Sequence, residues 1–122
     1  MSFDDILEKI VEPSAALGAA LMGSDGIPIA QVEGASTSGA TEDQVSVLAV
    51  EFGRILAECQ KVAHTTEAGR LEEISIQMAE ITAIVRHIDD DTYLVVAIGP
   101  DANAGRTRFD IRRHLVDLQA QL

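Results

Sequence analysis

The amino-acid sequence predicts an α+β domain with the element order α-β-β-α-β-β-β-α and a five-stranded antiparallel sheet. Two observations predict it. Apolar residues recur at helical spacing in three segments, and between these segments they alternate or form continuous runs. The long second helix is expected on one face of the sheet, and the first and last helices on the other. At 122 residues, the chain is expected to form a single domain, 1–122, around one hydrophobic core.

Short local signals predict the first three elements. Ser2, with Asp5 three residues later, has the pattern of a capping box, and the helix that begins there is expected to end at Pro13. Two apolar runs then flank the turn Gly23-Ser24-Asp25-Gly26, and Asp-Gly between such runs is a strong hairpin signal. Because Pro28 cannot donate a ladder hydrogen bond, the second strand is expected at a sheet edge.

The fourth element is a long helix over about 42–66, which follows a loop rich in Gly, Ser, Thr and Ala at 34–40. Its start, Thr41-Glu42-Asp43-Gln44, has a capping-box pattern with two acidic residues in the first turn. One apolar stripe at steps of three and four is expected to face the core. It comprises Val45, Leu48, Phe52, Ile55, Leu56, Cys59 and Val62.

Beyond the long helix, the apolar pattern changes to that of strands. The segment 71–79 alternates between apolar and polar residues, as a half-buried strand does, and 81–88 forms the next strand. After a turn of three aspartates, 94–98 is apolar at every position, so this strand is expected in the middle of the sheet with both faces covered. The remainder, about 103–122, is helical.

Charge and cysteine content exclude several classes of function. The chain has 9 Lys and Arg against 20 Asp and Glu, a net charge of −11, which argues against binding to nucleic acid or to an anionic membrane. No apolar run approaches the roughly 20 residues of a membrane span, and no signal peptide is expected. Cys59 is the single cysteine, so neither an internal disulfide nor a Cys-based zinc site is expected. These features favour a cytoplasmic protein.

No catalytic, cofactor-binding or metal-binding residue is predicted. Gly18 and Gly23 are spaced like the glycines of a phosphate-binding loop, but Ser24-Asp25 stands where Lys-Ser/Thr is required. The three histidines lie far apart and lack the local pairing of a zinc site. The aspartates at 89–91 need no metal as a tight turn, and no serine has a neighbouring base. The protein is therefore expected not to be an enzyme.

Two surfaces carry residues that a single-domain core does not explain. The side of the long helix roughly opposite the core stripe has mostly small residues, which permit close helix–helix approach: Ser46, Val50, Gly53, Ala57 and His64. The alternative is a glycine tolerated on a solvated face, at a cost of about 1 kcal/mol relative to alanine. The strand at 71–79 lacks the proline or lysine that usually protects a sheet edge. It is expected to pair with a second copy, unless Glu72 and Glu73 protect it.

The last helix has an aromatic residue away from its apolar stripe. Phe109 and Val116 lie one heptad apart, whereas Ile111, Leu115 and Leu118 form the stripe itself. Phe109 is expected to pack over the first helix. The alternative is that it anchors a partner, with Asp110 beside it.

Two sequence segments carry a family resemblance. The segment 17–30, LGAALMGSDGIPIA, has the pattern Gly-Ala-x-x-apolar followed by Asp-Gly-apolar-Pro-apolar-Ala. The segment 93–108 is similar to a closing pattern of strand, Asn-Leu-Gly and Arg, although Ala104, Arg106 and Thr107 stand where aliphatic residues are usual. Together these segments resemble the Roadblock/LC7 family, and more particularly its bacterial MglB-like branch.

The resemblance implies a homodimer in which the third strands pair into one ten-stranded sheet with the long helices side by side. The implied interface comprises Glu73, Ile74, Ser75, Ile76 and Gln77 on the strand, with Val50 and Ala57 on the helix. Family members regulate or scaffold Ras-like small GTPases or motor complexes and bind no nucleotide themselves. The implied GTPase surface comprises Ser46, Val50, Gly53, Arg54, Ala57 and Lys61. Secondary candidates for a partner contact are Asp25, Ile27, Phe109 and Asp110.

The functional hypothesis is a non-enzymatic homodimeric adaptor that regulates a Ras-like small GTPase in bacterial polarity or motility. One alternative is a GTPase-activating protein, for which Arg54 is the only plausible arginine finger acting in trans. The other alternative is a scaffold that binds a paralogous roadblock protein and makes no direct GTPase contact.

Overall fold

The computed structural model describes residues 2–34 and 42–122, and these residues have the predicted element order. Strand order in the sheet is β2-β1-β5-β4-β3, and every neighbouring pair is antiparallel. Residues 35–40 of the predicted loop at 34–40 and the cap at Thr41 lie outside the described residues. The elements are α1 (Phe3–Ser14), β1 (Gly18–Gly23), β2 (Pro28–Glu33), α2 (Glu42–Thr65), β3 (Glu73–Gln77), β4 (Thr82–Asp89), β5 (Thr92–Ile98) and α3 (Ala104–Gln121).

Helix α1 begins with the predicted capping box. The Ser2 hydroxyl accepts a hydrogen bond from the Asp5 N–H at 3.2 Å, and the Asp5 carboxylate accepts one from the Ser2 N–H at 3.2 Å. The bond from the Ser2 backbone is the main reason that the pKa of Asp5 lies below its usual value. The helix does not end at Pro13, as was predicted, but continues to Ser14. Pro13 removes one donor, yet the last turn is closed by Ala15, which adopts a left-handed conformation with φ 52°.

The sheet carries helices on both faces, as predicted. One face packs against α1 and α3, and the other packs against α2. Every residue of β5 is buried, because β5 lies between β1 and β4 with a helical layer on each side. The buried core on the α1 and α3 face consists of Ile6, Leu7, Ile10, Val11, Ala16, Ala19, Leu21, Ile84, Ile88, Leu94, Val96, Ile98, Ile111 and Leu118.

Helix α2 is rotated relative to the predicted core stripe. Val45, Ala49 and Leu56 are buried against the sheet, whereas Ile55 is 42% exposed and Val62 is 62% exposed. The prediction that Ile55 and Val62 face the core was therefore wrong. The rotation has a physical reason at Gly53, which faces the sheet and lets the helix approach Tyr93 on β5.

Strands β2 and β3 form the two edges of the sheet, as predicted. Pro28 at the start of β2 pairs with Met22 across a register shift between Leu21 and Met22. No helix in the described ranges has the length and apolar content needed to cross a bilayer.

Candidate interaction surfaces

Among the residues that the structure describes, no strand lies along the outer edge of β3, so a row of its backbone groups has no partner there. The Met78 N–H donates to the Ile81 carbonyl, and the Glu72 carbonyl accepts from the His87 N–H. Because the backbone N–H and C=O groups of successive residues in an antiparallel strand point to alternate sides, those of the even-numbered β3 residues point toward β4. The N–H and C=O groups of the odd-numbered residues therefore point away from the sheet. These residues are Glu73, Ser75 and Gln77.

One flank of α2 extends this open edge with apolar side chains. Leu48, Ile55 and Val62 recur every seven residues, so they share one side of the helix. Leu48 and Val47 line a mostly apolar groove of about 390 Å³ together with Met78 and Ile81, which flank the turn between β3 and β4. This flank of α2 therefore lies on the β3 side of the molecule. The sequence signal for it was misassigned to the core stripe.

A second line of α2 residues faces solvent. Val50, Arg54, Ala57 and Lys61 follow steps of four, three and four, and all four are exposed. Arg54 pairs with Glu51 at 3.2 Å, and Lys61 pairs with Glu58 at 2.9 Å. Exposed pairs of this kind contribute only about 0–1 kcal/mol each, so these cations remain available to a partner. Four of the six residues predicted for GTPase docking thus share one outward surface.

The other two residues of that predicted surface, Ser46 and Gly53, are engaged within the fold. A Cβ atom at Gly53 would overlap the phenol ring of Tyr93 and would lie 2.8 Å from its Cε2 atom. The Ser46 hydroxyl donates to the Gln31 side chain on β2 at 3.0 Å. The premise that these small residues lie opposite the core was therefore wrong, because both turn toward the sheet.

The structure does not bring Val50 and Ala57 together with β3. Ala57 lines a cavity with Ser24 and Tyr93, which belong to the β1 and β5 side of the sheet. Val50 lies on the same side of the helix as Ala57, seven residues earlier. The flank that continues the β3 edge carries Leu48, Ile55 and Val62 instead, so the predicted helix residues of a dimer interface require this correction.

The cavity beside Ala57 has a volume of about 250 Å³ and contains a buried histidine that sequence analysis passed over. His87 is 7% exposed, and its Nε2 atom lies 4.0 Å from the Asp90 carboxylate. Burial, followed by the positive charge of Arg70, lowers the pKa of His87. The Tyr93 hydroxyl in the same cavity donates to the Ala49 carbonyl at 2.9 Å, and burial raises its pKa. The signal in the sequence was the position of His87 two residues after Val85, which places both side chains on the same face of β4.

The secondary candidates for a partner contact do not lie on one common surface. Asp25 closes the β1–β2 turn by accepting a hydrogen bond from the Ile27 N–H at 3.0 Å, and Ile27 is exposed. Phe109 is 53% exposed rather than packed over α1, and the guanidinium groups of Arg106 and Arg113 lie 5.9 and 5.6 Å from its ring centre. The packing prediction for Phe109 was therefore wrong.

Asp110 is fully buried and cannot contact a partner directly. Its carboxylate lies inside the fold in the second turn of α3 and accepts a hydrogen bond from Arg106 Nε at 3.0 Å. Among the residues that the structure describes, no three His, Cys, Asp or Glu side chains form a group that could hold a metal ion.

Comparison with protein-family models finds no match to this chain, and comparison with curated proteins finds none either. Comparison with solved structures does. A Roadblock/LC7 domain from Streptomyces avermitilis has a TM-score of 0.81 at 15% identity, covering 98% of this chain and 97% of that chain. MglC from Myxococcus xanthus has a TM-score of 0.69 at 27% identity, covering 100% of both chains. The gliding protein MglB from Thermus thermophilus has a TM-score of 0.79 at 20% identity, covering 92% of this chain and 82% of that chain.

The chain therefore has the Roadblock/LC7 fold, which its sequence motifs predicted. Within that fold, its structural neighbours include the bacterial proteins MglB and MglC.

Proposed function

We propose that the protein is a non-enzymatic homodimeric adaptor that regulates a Ras-like small GTPase, in a bacterial polarity or motility system. The observation that carries the proposal is the uncovered β3 edge, which is continuous with the apolar flank of α2. An unprotected edge strand beside exposed apolar residues favours pairing with another chain. The similarity to MglB, a gliding protein, supports the motility context.

A second copy satisfies both features at once. Two β3 strands related by a two-fold axis would pair their outward N–H and C=O groups and form one ten-stranded sheet. Ile74 packs with the core on the α2 face and is only partly buried, so that face of β3 is incompletely covered within one chain. The flanks that carry Leu48, Ile55 and Val62 would meet above the paired strands and cover it.

The GTPase is assigned to the outward surface of α2. Val50 and Ala57 supply apolar contact there, and Arg54 and Lys61 supply positive charge at its rim. In a dimer the two α2 helices would lie side by side, so that one GTPase could contact both. The adaptor would favour one GTPase conformation only as far as it binds that conformation more tightly than the other.

The test is to mix the purified protein with a Ras-like GTPase from the same genome and to measure binding and GTP turnover separately. We expect binding without acceleration of turnover, and we expect Val50→Asp to abolish binding. Val116→Asp is the matched control, because Val116 is equally apolar and is exposed on α3, across the sheet. Loss of binding in the control and not in Val50→Asp would refute the assignment of the surface.

Two outcomes would favour the alternatives. Acceleration of turnover that Arg54→Ala abolishes while binding persists would identify a GTPase-activating protein, since Arg54 is exposed on the proposed docking surface. Absence of GTPase binding, together with binding of a paralogous roadblock protein, would identify a scaffold.

A further inference from the structure

Three arginines from three elements line one cavity at the start of β3. The cavity has a volume of about 550 Å³, and its arginines are Arg70 in the segment before β3, Arg86 on β4 and Arg112 on α3. A chain with a net charge of −11 has only nine basic residues, so a third of them converge here. Within the described residues, none of the three forms an ion pair. Glu72 and Glu73 also line the cavity, and the Glu73 carboxylate is bound to Arg108, so the three arginines outnumber the one remaining carboxylate and leave an excess of positive charge.

The buried part of Arg86 shows the same deficit at the level of one atom. Its Nε atom is inaccessible to solvent and has no hydrogen-bond partner. Glu73 lies directly across from Arg86 in the β3–β4 ladder, but its carboxylate is bound to Arg108 Nε at 2.8 Å. A buried N–H without an acceptor costs free energy, and the positive charge of the guanidinium group that carries it favours an anion beside it. The missing group is therefore an anion with oxygen acceptors.

The position of the cavity indicates where that anion comes from. Two residues opposite each other in an antiparallel pair have their side chains on the same face of the sheet. In the two-fold dimer, an odd-numbered β3 residue therefore pairs with an odd-numbered residue of the other protomer, and an even-numbered one with an even-numbered one. The greatest overlap of two β3 strands places the two-fold axis at Ser75 and pairs Glu73 with Gln77. β3 ends at Gln77, and the hydrogen bond from the Met78 N–H to the Ile81 carbonyl closes the turn to β4. In this register Arg70, three residues before β3, would lie beside the β3–β4 turn of the other protomer, which contains Glu80.

Glu80 suits this role. It is exposed in the turn between β3 and β4, and it forms no ion pair within the part of the chain that the structure describes. We propose that the arginine cavity of each protomer binds the carboxylate of Glu80 of the partner subunit, at both ends of the paired β3 strands. The proposal rests on the homodimer under "Proposed function" and names the contacts that fix its register. If the two β3 strands slipped by two residues, the arginines and Glu80 of the partner subunit would move apart. The ion pairs also offset the repulsion between two protomers that both carry a negative net charge.

The dissociation constant of the dimer tests the proposal, measured by sedimentation equilibrium at low and at high salt. Glu80→Gln is expected to raise it about tenfold at low salt, because two partly exposed ion pairs are lost and each contributes roughly a factor of three. At high salt, the dissociation constants of the wild-type protein and of Glu80→Gln should differ less, because salt screens the ion pairs. Glu12→Gln is the control, since it removes the same charge from an exposed position on α1.

An exchange of the two charges between positions 70 and 80 distinguishes loss of the contact from loss of the fold, because only a variant that still folds can regain affinity. Arg70→Glu alone should weaken the dimer, and the double variant Arg70→Glu with Glu80→Arg should regain at least part of the loss. Far-UV circular dichroism of each variant checks that the fold persists.

Three outcomes would overturn the proposal. A wild-type dimer that Glu80→Gln leaves within about twofold of its original affinity would refute the contact and leave the homodimer intact. Stabilisation by inorganic phosphate that Arg86→Gln abolishes, with no effect of Glu80→Gln, would instead assign the cavity to a soluble anion. A wild-type protein that is monomeric throughout would refute the homodimer itself.

Discussion

Substitution of Gly53 by alanine should destabilise the protein, although the same change in an exposed helix stabilises it. Intrinsic helix propensity favours alanine by about 1 kcal/mol. At Gly53, however, the added methyl group would overlap the Tyr93 ring, which is buried and held by its hydrogen bond to the Ala49 carbonyl. Overpacking of a core costs about 1–3 kcal/mol, and loss of the buried hydroxyl's acceptor costs a further 1–3 kcal/mol.

The net expectation, after subtracting the gain of about 1 kcal/mol in helix propensity, is a loss of about 3 kcal/mol in the free energy of unfolding, or about 12 °C in Tm for a domain of this size. Thermal and urea unfolding followed by circular dichroism measure it. Gly105→Ala is the control, because Gly105 is the other glycine within a helix in the described ranges and is exposed in the first turn of α3, where an added Cβ would meet only the Asn103 side-chain oxygen, at 3.2 Å. We expect the control to be neutral or stabilised by up to about 1 kcal/mol. If Gly53→Ala stabilised the protein as much as the control does, the close approach of α2 to Tyr93 would be refuted.

Two further predictions concern buried and exposed side chains. Because the pKa of His87 is lowered in the folded protein, the unfolded chain binds more protons near its ordinary value of 6.5, and stability should fall as pH decreases below that value, by at most about 1.4 kcal/mol per pH unit. Urea titrations at several pH values should show that the free energy of unfolding depends less steeply on pH in His87→Gln than in the wild-type protein, with His64→Gln, a substitution of an exposed histidine, measured as the comparison. Leu118→Ala should cost about 2–5 kcal/mol, whereas Phe109→Ala should cost less than about 1 kcal/mol, since only Leu118 is buried. Equal losses in these two variants would show that Phe109 packs in the core after all.

Local signals were sufficient to predict the fold. The Asp-Gly turn, the proline at the start of β2, the alternation in β3 and the continuous apolar run of β5 each act over a few residues. Pro13 misplaced the end of α1 by one residue, because a proline in the last turn removes only one donor. These elements could be assembled into a fold because the apolar residues of each one indicate which of its faces is buried.

The orientation of α2 could not be predicted in the same way. Its apolar residues are spread around most of the helix, from Val45 and Leu56 on the sheet to Val50 and Val62 in solvent. A helix that is covered by a sheet on one side and is left bare on two others gives no single stripe. Gly53 was equally compatible with approach to another helix or to the sheet, and Tyr93, forty residues later, decides between them. The arginine cavity was missed for a related reason, since its three arginines come from segments far apart in the chain.

The central claim is that β3 is an open edge that a second copy covers. Sedimentation velocity of the wild-type protein and of Ser75→Pro tests it most directly. The Ser75 N–H points away from β4, so proline at this position removes a donor that only a neighbouring chain would use. Ile74→Pro is the comparison, because the Ile74 N–H points toward β4 and its loss should destabilise the monomer.

A wild-type dimer at micromolar concentration is expected, together with a folded Ser75→Pro monomer whose Tm lies below that of the dimer, because it lacks the stabilisation that association supplies. A wild-type monomer, or a Ser75→Pro variant that sediments as the wild-type dimer does, would contradict the central claim.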